Sequence, residues 1–382
     1  MKVHTEEGFA LVGTTSNARN AWAFSLFGIA NLLTFSFLMT SMPLLQNRFG
    51  EKFGSYTNIV YGASSCIGQF VGIGLGTRLS FDFRIIACLS SLLVVSVAAG
   101  IILCFDSSTS IAYGMGMIFS LGLAGSVLQT SLSALAGLVS ADAMAFLYIG
   151  QSISGLLPLP LMGLLRYGLP SGSDGSMFIA EMSVASLFLL GMIVIYRTKF
   201  AGSALNQETR STPDLAAFAR DFRSISSVAF DVFGICLVSF AIYPRDILKW
   251  SPTSFTSINA AVYQSLMLYA AIVFDVLGML IPTWGLKASL RVVNVAAWLR
   301  AAWIPIFILT HTPLLAHDLE RFALVVFMST SGAFLFSSAL ENVFSLIGDA
   351  DHDVVGYIVS FCFTTGMTAG GAVGHWIDIA VS

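Results

Sequence analysis

The sequence is poor in charged residues. Only 10% of its 382 residues are Asp, Glu, Lys or Arg, whereas 56% are hydrophobic and the mean hydropathy is +0.83. A soluble domain carries about 25% charged residues, so this chain has too few to cover the surface of a water-soluble fold. The net charge of −3 and the absence of a basic run exclude a nucleic-acid-binding surface. The chain is therefore expected to fold in lipid.

Motifs that carry enzyme chemistry are also missing. There is no glycine-rich phosphate loop ending in Lys-Ser/Thr, no His-x-x-x-His pair and no Gly-x-Ser-x-Gly turn. The cysteines lie in apolar segments, without the spacing of a metal site or a disulfide framework. His352 sits in a short acidic stretch that is typical of a solvated turn. We therefore expect no enzyme activity, no cofactor and no metal site.

Long apolar runs are what the sequence does contain. A membrane-crossing helix needs about 20 mostly apolar residues. Eleven segments reach this length, and they lie near 21–43, 57–79, 84–105, 111–139, 143–165, 177–196, 226–247, 260–284, 291–312, 322–347 and 353–380. The sequence predicts an all-α polytopic membrane protein with 11 transmembrane helices.

The longest polar stretch divides these segments into six and five. The division predicts an amino-terminal bundle (residues 1–196), a cytoplasmic loop (197–225) and a carboxy-terminal bundle (226–382). Two bundles of this kind are typical of carriers built from two halves.

Lysine and arginine residues in the loops set the orientation of the helices. They are more numerous on the side of the amino terminus, where Arg197, Lys199, Arg220 and Arg223 lie in one loop. The first apolar run is long and follows a polar segment, as in a first membrane helix rather than a cleaved signal peptide. We expect a multi-pass monomer embedded in the lipid bilayer of the plasma membrane. Its amino terminus is expected to be cytoplasmic and its carboxy terminus extracytoplasmic.

Three ionisable residues fall inside apolar segments, where a charge is costly and usually functional. Asp275 and Arg300 lie near the middle of the eighth and ninth segments, and Glu341 lies in the tenth. Arg300 could form a purely structural ion pair with one of the acids. The acid left over would favour its protonated form, and it could bind a hydroxyl-rich solute or carry a proton. Asp275 and Glu341 are the candidates for proton coupling.

Amide and hydroxyl side chains mark a further polar face. In the fourth segment, Gln129 and Ser133 share one helical face with small residues. Gln129 is the better candidate for lining a solute path, because an amide there both donates and accepts hydrogen bonds. Gln151, in the fifth segment, suits hydrogen bonding between closely packed helices.

Several segments together resemble the equilibrative nucleoside transporter family. Residues 28–40 are similar to its first helix, Gly-x-x-x-Leu-Leu-Pro-Trp-Asn followed by Met-Thr, with Phe35-Ser36 in place of Trp-Asn. The other similar segments are Leu128 to Gly137, Gly150 to Gly155, Val273 to Gly278, Arg300 with Pro305, and Gly356 to Gly370. The resemblance covers nearly all of the membrane part, in order. It implies a shortened, major-facilitator-like 6+5 architecture and transport of nucleosides, sometimes nucleobases, by alternating access.

The same resemblance implies roles for individual residues. Gln129 matches a glutamine that contacts the nucleobase, and Asp275 matches an aspartate that engages the ribose. Phe35 and Met39 match positions on the first-helix side of the cavity. Where the family has Arg four residues after the aspartate, this chain has Met279. Either Arg300 takes over from that arginine, or Asp275 is protonated, or the solute is a bare nucleobase or another compound.

The sequence thus favours a facilitative or proton-coupled carrier of nucleosides or nucleobases. Its expected binding residues are Gln129, Asp275, Phe35, Met39, Ser133 and Arg300. Two alternatives stay open. One is a major-facilitator-like carrier of a different small organic solute, and the other is a membrane protein that does not transport.

Overall fold

The structure is a computed structural model in which all regular elements are helices. It describes residues 21–50, 53–76, 78–102, 111–168, 174–200, 215–243, 247, 249–255, 257–346 and 352–381. Eleven helical spans within these ranges are long and apolar enough to cross a membrane. The first 20 residues and most of the predicted loop between the bundles lie outside the described residues.

The described residues form fourteen α-helices and two 3₁₀ turns, and all of these except α2 and the second 3₁₀ turn belong to the eleven spans. In chain order the α-helices are α1 (Ala23–Thr40), α2 (Met42–Phe49), α3 (Phe53–Gly76), α4 (Phe81–Ile102), α5 (Ile111–Val139), α6 (Ala141–Leu156), α7 (Pro158–Gly168), α8 (Asp174–Lys199), α9 (Leu215–Ile242), α10 (Ala260–Thr283), α11 (Leu290–Leu299), α12 (Trp303–Leu309), α13 (Asp318–Phe344) and α14 (His352–Val381). The 3₁₀ turns are Arg300–Ala302 and Pro313–Leu315. Helix α9 begins before the apolar run predicted from residue 226, because it extends through the polar turns around Arg220.

Two proline residues explain where spans are broken. Pro158 occupies the first position of α7, so α6 ends just before it. Pro305 has no backbone N–H to donate to the Ala301 carbonyl, and the chain passes through the 3₁₀ turn at Arg300–Ala302 before α12. The fifth and ninth spans therefore each consist of two helical pieces, and Arg300 sits at the break in the ninth.

The helices pack as two bundles. In the first, α1 packs along α6, α3 along α5, and α4 along α8. Helices α1 and α6 approach so closely because a Cβ on Gly28 would collide with the Leu147 carbonyl, and one on Gly150 with the Ser25 backbone. In the second bundle, α9 packs along α14 and α10 along α13. The predicted all-α fold with 11 spans in a six-plus-five arrangement is confirmed.

Four helix pairs join the bundles in the described ranges: α3 with α14, α5 with α14, α6 with α10, and α6 with α13. At the predicted cytoplasmic end, Gly356 packs on the backbone of Ser133, and Gly137 packs on the backbone of His352. Neither glycine has room for a side chain. Helices α1 and α9 barely touch along their described lengths. The bundles are therefore closed against each other at the predicted cytoplasmic end.

A buried carboxylate holds the connection between α9 and α10 in place. Asp318, which has no exposed surface, begins α13. Its carboxylate accepts hydrogen bonds from the backbone N–H groups of Thr253 (3.0 Å), Ser254 (2.6 Å) and Phe255 (2.9 Å). Arg321 lies 3.9 Å from the same carboxylate and donates to the Ser251 carbonyl at 2.9 Å.

We expect the Asp318→Asn substitution to lower the free energy of unfolding by about 2–3 kcal/mol, because backbone donors lose a charged acceptor. Thermal unfolding of the protein in detergent, followed by tryptophan fluorescence, measures this loss. Glu320→Gln is the matched control, since Glu320 lies in the same helical turn but is exposed. Equal effects of the two substitutions would contradict the structural role of Asp318.

Candidate functional site

Helix α6 lies between the two residues that the sequence singles out most strongly, Gln129 on α5 and Asp275 on α10. The hydroxyl of its Tyr148 lies 3.5 Å from that of Ser133, one turn after Gln129 on α5, and its Ser152 donates a hydrogen bond to the Asp275 carboxylate. Tyr148 and Ser152 are four residues apart and so lie on one face of α6. The candidate site is therefore organised along that face, where the two bundles meet.

Asp275 is the acid at the junction of the bundles. Its Oδ2 accepts a hydrogen bond of 2.6 Å from the Ser152 hydroxyl, which belongs to the other bundle. The Met279 sulfur lies 3.7 Å from the same hydroxyl. The helices come this close because Gly155 packs against the Ile272 side chain. Where the resembled family has a cation beside its aspartate, this chain has a neutral hydroxyl donor and a methionine.

Arg300 lies within the second bundle, where both of its terminal nitrogens donate to neutral acceptors. Its guanidinium donates to the Met328 carbonyl (3.0 Å), the Ser331 hydroxyl (2.8 Å) and the Ser239 hydroxyl (3.0 Å). Within the ranges that the structure describes, it forms no ion pair with either candidate acid. A structural ion pair of Arg300 with Asp275 or Glu341 is therefore not found. Its role in solute binding stays a prediction.

Glu341 has an ion partner of its own. The Lys287 ammonium lies 3.3 Å from its carboxylate, and the Lys287 side chain is 60% exposed. An ion pair this open to solvent contributes about 0–1 kcal/mol. Glu341 therefore belongs to a partly solvated ion pair towards the predicted cytoplasmic end, and this pair does not include Asp275. Its part in proton coupling stays a prediction.

Gln129 and Ser133 are both buried and both lie beside Tyr148. The Tyr148 hydroxyl is 3.5 Å from the Ser133 hydroxyl. The Tyr148 ring meets Phe336 at 4.9 Å and Phe363 at 5.1 Å between ring centroids, and both phenylalanines belong to the second bundle. Tyr148 thus connects the polar face of α5 with an aromatic contact across the bundle interface.

Phe35 and Met39 are half-buried on α1. The Phe35 ring is stacked on Tyr61 of α3, with centroids 3.9 Å apart and planes 20° apart. One face of Phe35 is therefore occupied, and a solute ring would have to use its other face or its edge. The lining role of both residues stays a prediction.

Sequence reasoning missed three buried polar residues. Glu181 on α8 has no exposed surface and accepts a 2.8 Å hydrogen bond from Ser41. Arg84 on α4 donates to the Tyr357 hydroxyl of α14 at 3.1 Å, and so joins the bundles. Gln69 on α3 also joins them. The signal for Glu181 was present, since Ile179-Ala180-Glu181-Met182 places an acid in an apolar run. Arg84 and Gln69 sat in segments interpreted as a loop end and a packing motif.

No three His, Cys, Asp or Glu side chains gather at metal-binding distance in the part of the chain that the structure describes. The polar groups of the site are amides, hydroxyls, one carboxylate and one guanidinium. Such a set can bind a small solute through hydrogen bonds.

Comparisons with solved structures identify the architecture. The chain is similar to the E. coli fucose:proton symporter, with a TM-score of 0.63 and 14% identity, over 96% of this chain and 93% of that one. It is also similar to a bacterial homologue of the human lysosomal transporter Spinster, captured inward-facing and unoccupied, with a TM-score of 0.58 and 12% identity, over 95% and 82% of the two chains. These likenesses establish a major-facilitator-like fold. No protein-family model matches the sequence. No curated protein matches it either.

The position of Arg300 depends on a glycine. A methyl group on Gly332 would lie 2.6 Å from Nη2 of Arg300, so we expect Gly332→Ala to push the guanidinium off its acceptors. Thermal unfolding in detergent should show a loss of about 1–3 kcal/mol.

Gly191→Ala, on α8, is the control for this substitution. Nothing lies within 4 Å of the added methyl group, so this variant is expected to be neutral or slightly more stable. A Gly332→Ala protein as stable as the Gly191→Ala protein would show that Arg300 is not held as described.

Proposed function

We propose that the protein is a membrane carrier that moves nucleosides or nucleobases by alternating access. The observation that carries the proposal is the hydrogen bond between Ser152 and Asp275, since it places a carboxylate between two bundles of an otherwise apolar membrane fold. A carboxylate at that depth is costly and is usually kept for a solute or ion path. The major-facilitator-like fold supports a carrier, and the ordered sequence resemblance supports nucleosides or nucleobases as its solutes.

Each bundle supplies part of the proposed site. Gln129 of the first bundle reads the edge of the base, and Asp275 of the second binds a ribose hydroxyl or a ring N–H. Ser133, Phe35 and Met39 line the first-bundle side, and Arg300 lines the second. The solute then bridges the bundles near the middle of the membrane, as alternating access requires.

Ser152 has a specific role in this scheme. Its hydroxyl donates a hydrogen bond to Oδ2 of Asp275, the oxygen that would accept a hydrogen bond from a solute hydroxyl. Because Ser152 and Asp275 belong to different bundles, a solute that displaces the serine replaces one contact between the bundles by another. Solute binding at Asp275 is thus coupled to the separation of α6 from α10.

Transport is downhill unless a proton accompanies the solute. Asp275 and Glu341 are the candidate proton carriers, and neither is neutralised by Arg300. We propose that the carrier is a plasma-membrane monomer, and the loop charges orient its amino terminus to the cytoplasm.

A second candidate function is transport of a different small organic solute by the same architecture. Met279 favours it, since the cation expected near a ribose is absent at that position. A thermal-shift panel of nucleosides, nucleobases, sugars, amino acids and organic cations separates the two candidates.

Uptake into proteoliposomes tests the proposal. We expect saturable uptake of at least one of labelled adenosine, uridine and hypoxanthine. Asp275→Asn should reduce it by roughly tenfold or more, because a hydrogen bond to a charged group contributes about 1.5–3 kcal/mol. Asp142→Asn, an exposed acid at the start of α6, should leave uptake unchanged. Absence of saturable uptake of all three solutes would refute the nucleoside and nucleobase assignment.

Ser152→Ala tests the competition between serine and solute. It removes the hydrogen bond that holds Asp275 in the solute-free protein, so we expect lower thermal stability without solute and tighter solute binding. Ser152→Thr keeps the hydroxyl and should preserve both properties. If Ser152→Ala instead weakens binding as much as Asp275→Asn does, the serine contacts the solute directly and the competition is wrong.

A further inference from the structure

Three buried amide side chains meet where α1, α5 and α6 pack together. Asn31, Gln129 and Gln151 expose only 3%, 6% and 5% of their surface. Both polar atoms of the Asn31 amide, both of the Gln151 amide and Nε2 of Gln129 have no hydrogen-bond partner among the described residues. The Thr34 hydroxyl, one turn along α1 from Asn31, has none either.

The packing of the helices places the three amides close together. The Asn31 side-chain oxygen lies 3.8 Å from the position of a Cβ on Gly125, which precedes Gln129 by one turn of α5. A Cβ on Gly28, one turn before Asn31, would lie 2.9 Å from the backbone nitrogen of Gln151. The three residues therefore come from three different helices and lie within about one helical turn of each other.

Unpaired amides at this depth are unfavourable. Leaving a buried donor or acceptor without a partner costs about 1–3 kcal/mol, and lipid offers no alternative partner. Gln69 shows how the same fold treats a structural amide. Its Nε2 donates to Thr364 at 2.8 Å, and its Oε1 accepts from Thr130 at 2.7 Å and Ser360 at 3.2 Å. A cluster of three amides without such protein partners contrasts with this pattern.

We propose that Asn31, Gln129 and Gln151 form an uncharged recognition subsite in the first bundle for a neutral heterocycle. The inference rests on the proposed function and deepens it. Each amide offers a donor beside an acceptor, which suits a ring edge with an N–H next to a carbonyl. None of the three residues carries a charge, so the subsite discriminates against charged solutes. Tyr148 of the same bundle contacts Phe336 and Phe363 of the second bundle.

Apolar replacements of similar shape provide the test. We expect the solute-free Asn31→Leu and Gln151→Met proteins to melt at the wild-type temperature or above it, because an unpaired amide has been removed. Their affinity for the transported solute should fall by roughly tenfold each, the effect of one lost hydrogen bond to a buried partner. Gln69→Met is the matched control. It removes a fully paired buried amide and should lower the melting temperature.

A pair of solutes tests recognition of the ring edge. Uridine presents an N–H between two carbonyls, and its N3-methyl derivative lacks that donor. Wild-type and Gln69→Met proteins should prefer uridine by roughly tenfold, whereas Asn31→Leu and Gln151→Met proteins should bind the two compounds alike.

The outcomes separate this inference from the proposed function. If uridine uptake is saturable and both variants still prefer uridine to its N3-methyl derivative as the wild type does, the subsite is refuted and the carrier function stands. Melting temperatures that fall as far as that of Gln69→Met also overturn it, because the amides would then be structural. If the wild-type protein binds a neutral heterocycle that is not a nucleoside or nucleobase, and both variants lose that binding, the subsite stands and the proposed substrate is refuted. A thermal-shift panel without any stabilising member overturns both.

Discussion

A polar group in the hydrocarbon layer must find its partner inside the protein, because no solvent is there to replace it. The fold meets this demand at several of its buried polar groups. Asp318 collects three backbone N–H groups, and the Arg300 guanidinium reaches one carbonyl and two hydroxyls. Gln69 has partners at both ends of its amide. Against that background, the proposed solute contacts are the Asp275 carboxylate, which accepts one hydrogen bond, and the three unpaired amides of the first bundle.

Two of the polar junctions between the bundles differ in this respect. Where α3 meets α14, the Gln69 amide is bonded to Thr364 and Ser360 of the second bundle, and every bond is made within the protein. Where α6 meets α10, one hydroxyl holds one carboxylate, Ser152 to Asp275. Opening the first junction breaks several hydrogen bonds. Opening the second breaks a single hydrogen bond, which a solute can replace. A solute that supplies a hydroxyl can open the second without leaving a charge unpaired.

Sequence reasoning reached the fold because length and apolarity alone determine a membrane helix. It also found Asp275 and Arg300, since a charge in an apolar run is visible without knowledge of the fold. It did not find their partners. Ser152, Ser239 and Ser331 are ordinary residues in a membrane helix, and only the packing of α6 on α10 and of α9 on α13 brings them to the charged groups. Unpaired amides are equally invisible in a sequence, because Gln69 and Gln151 both follow a glycine in small-residue segments and differ only in what surrounds them.

The distribution of partners bears on the charge of the solute. Arg300 is bonded to neutral acceptors, so moving it onto an anionic solute would break three hydrogen bonds for one new contact. Asp275 is held by a neutral donor, and Met279 leaves no cation beside it. In the proposed function, a neutral hydroxyl or ring N–H of the solute replaces the Ser152 hydroxyl with a donor of the same kind. The exchange releases little net free energy, which leaves the solute weakly held in either conformation. Weak and nearly equal binding in both states is what a carrier needs in order to release its solute on the far side of the membrane.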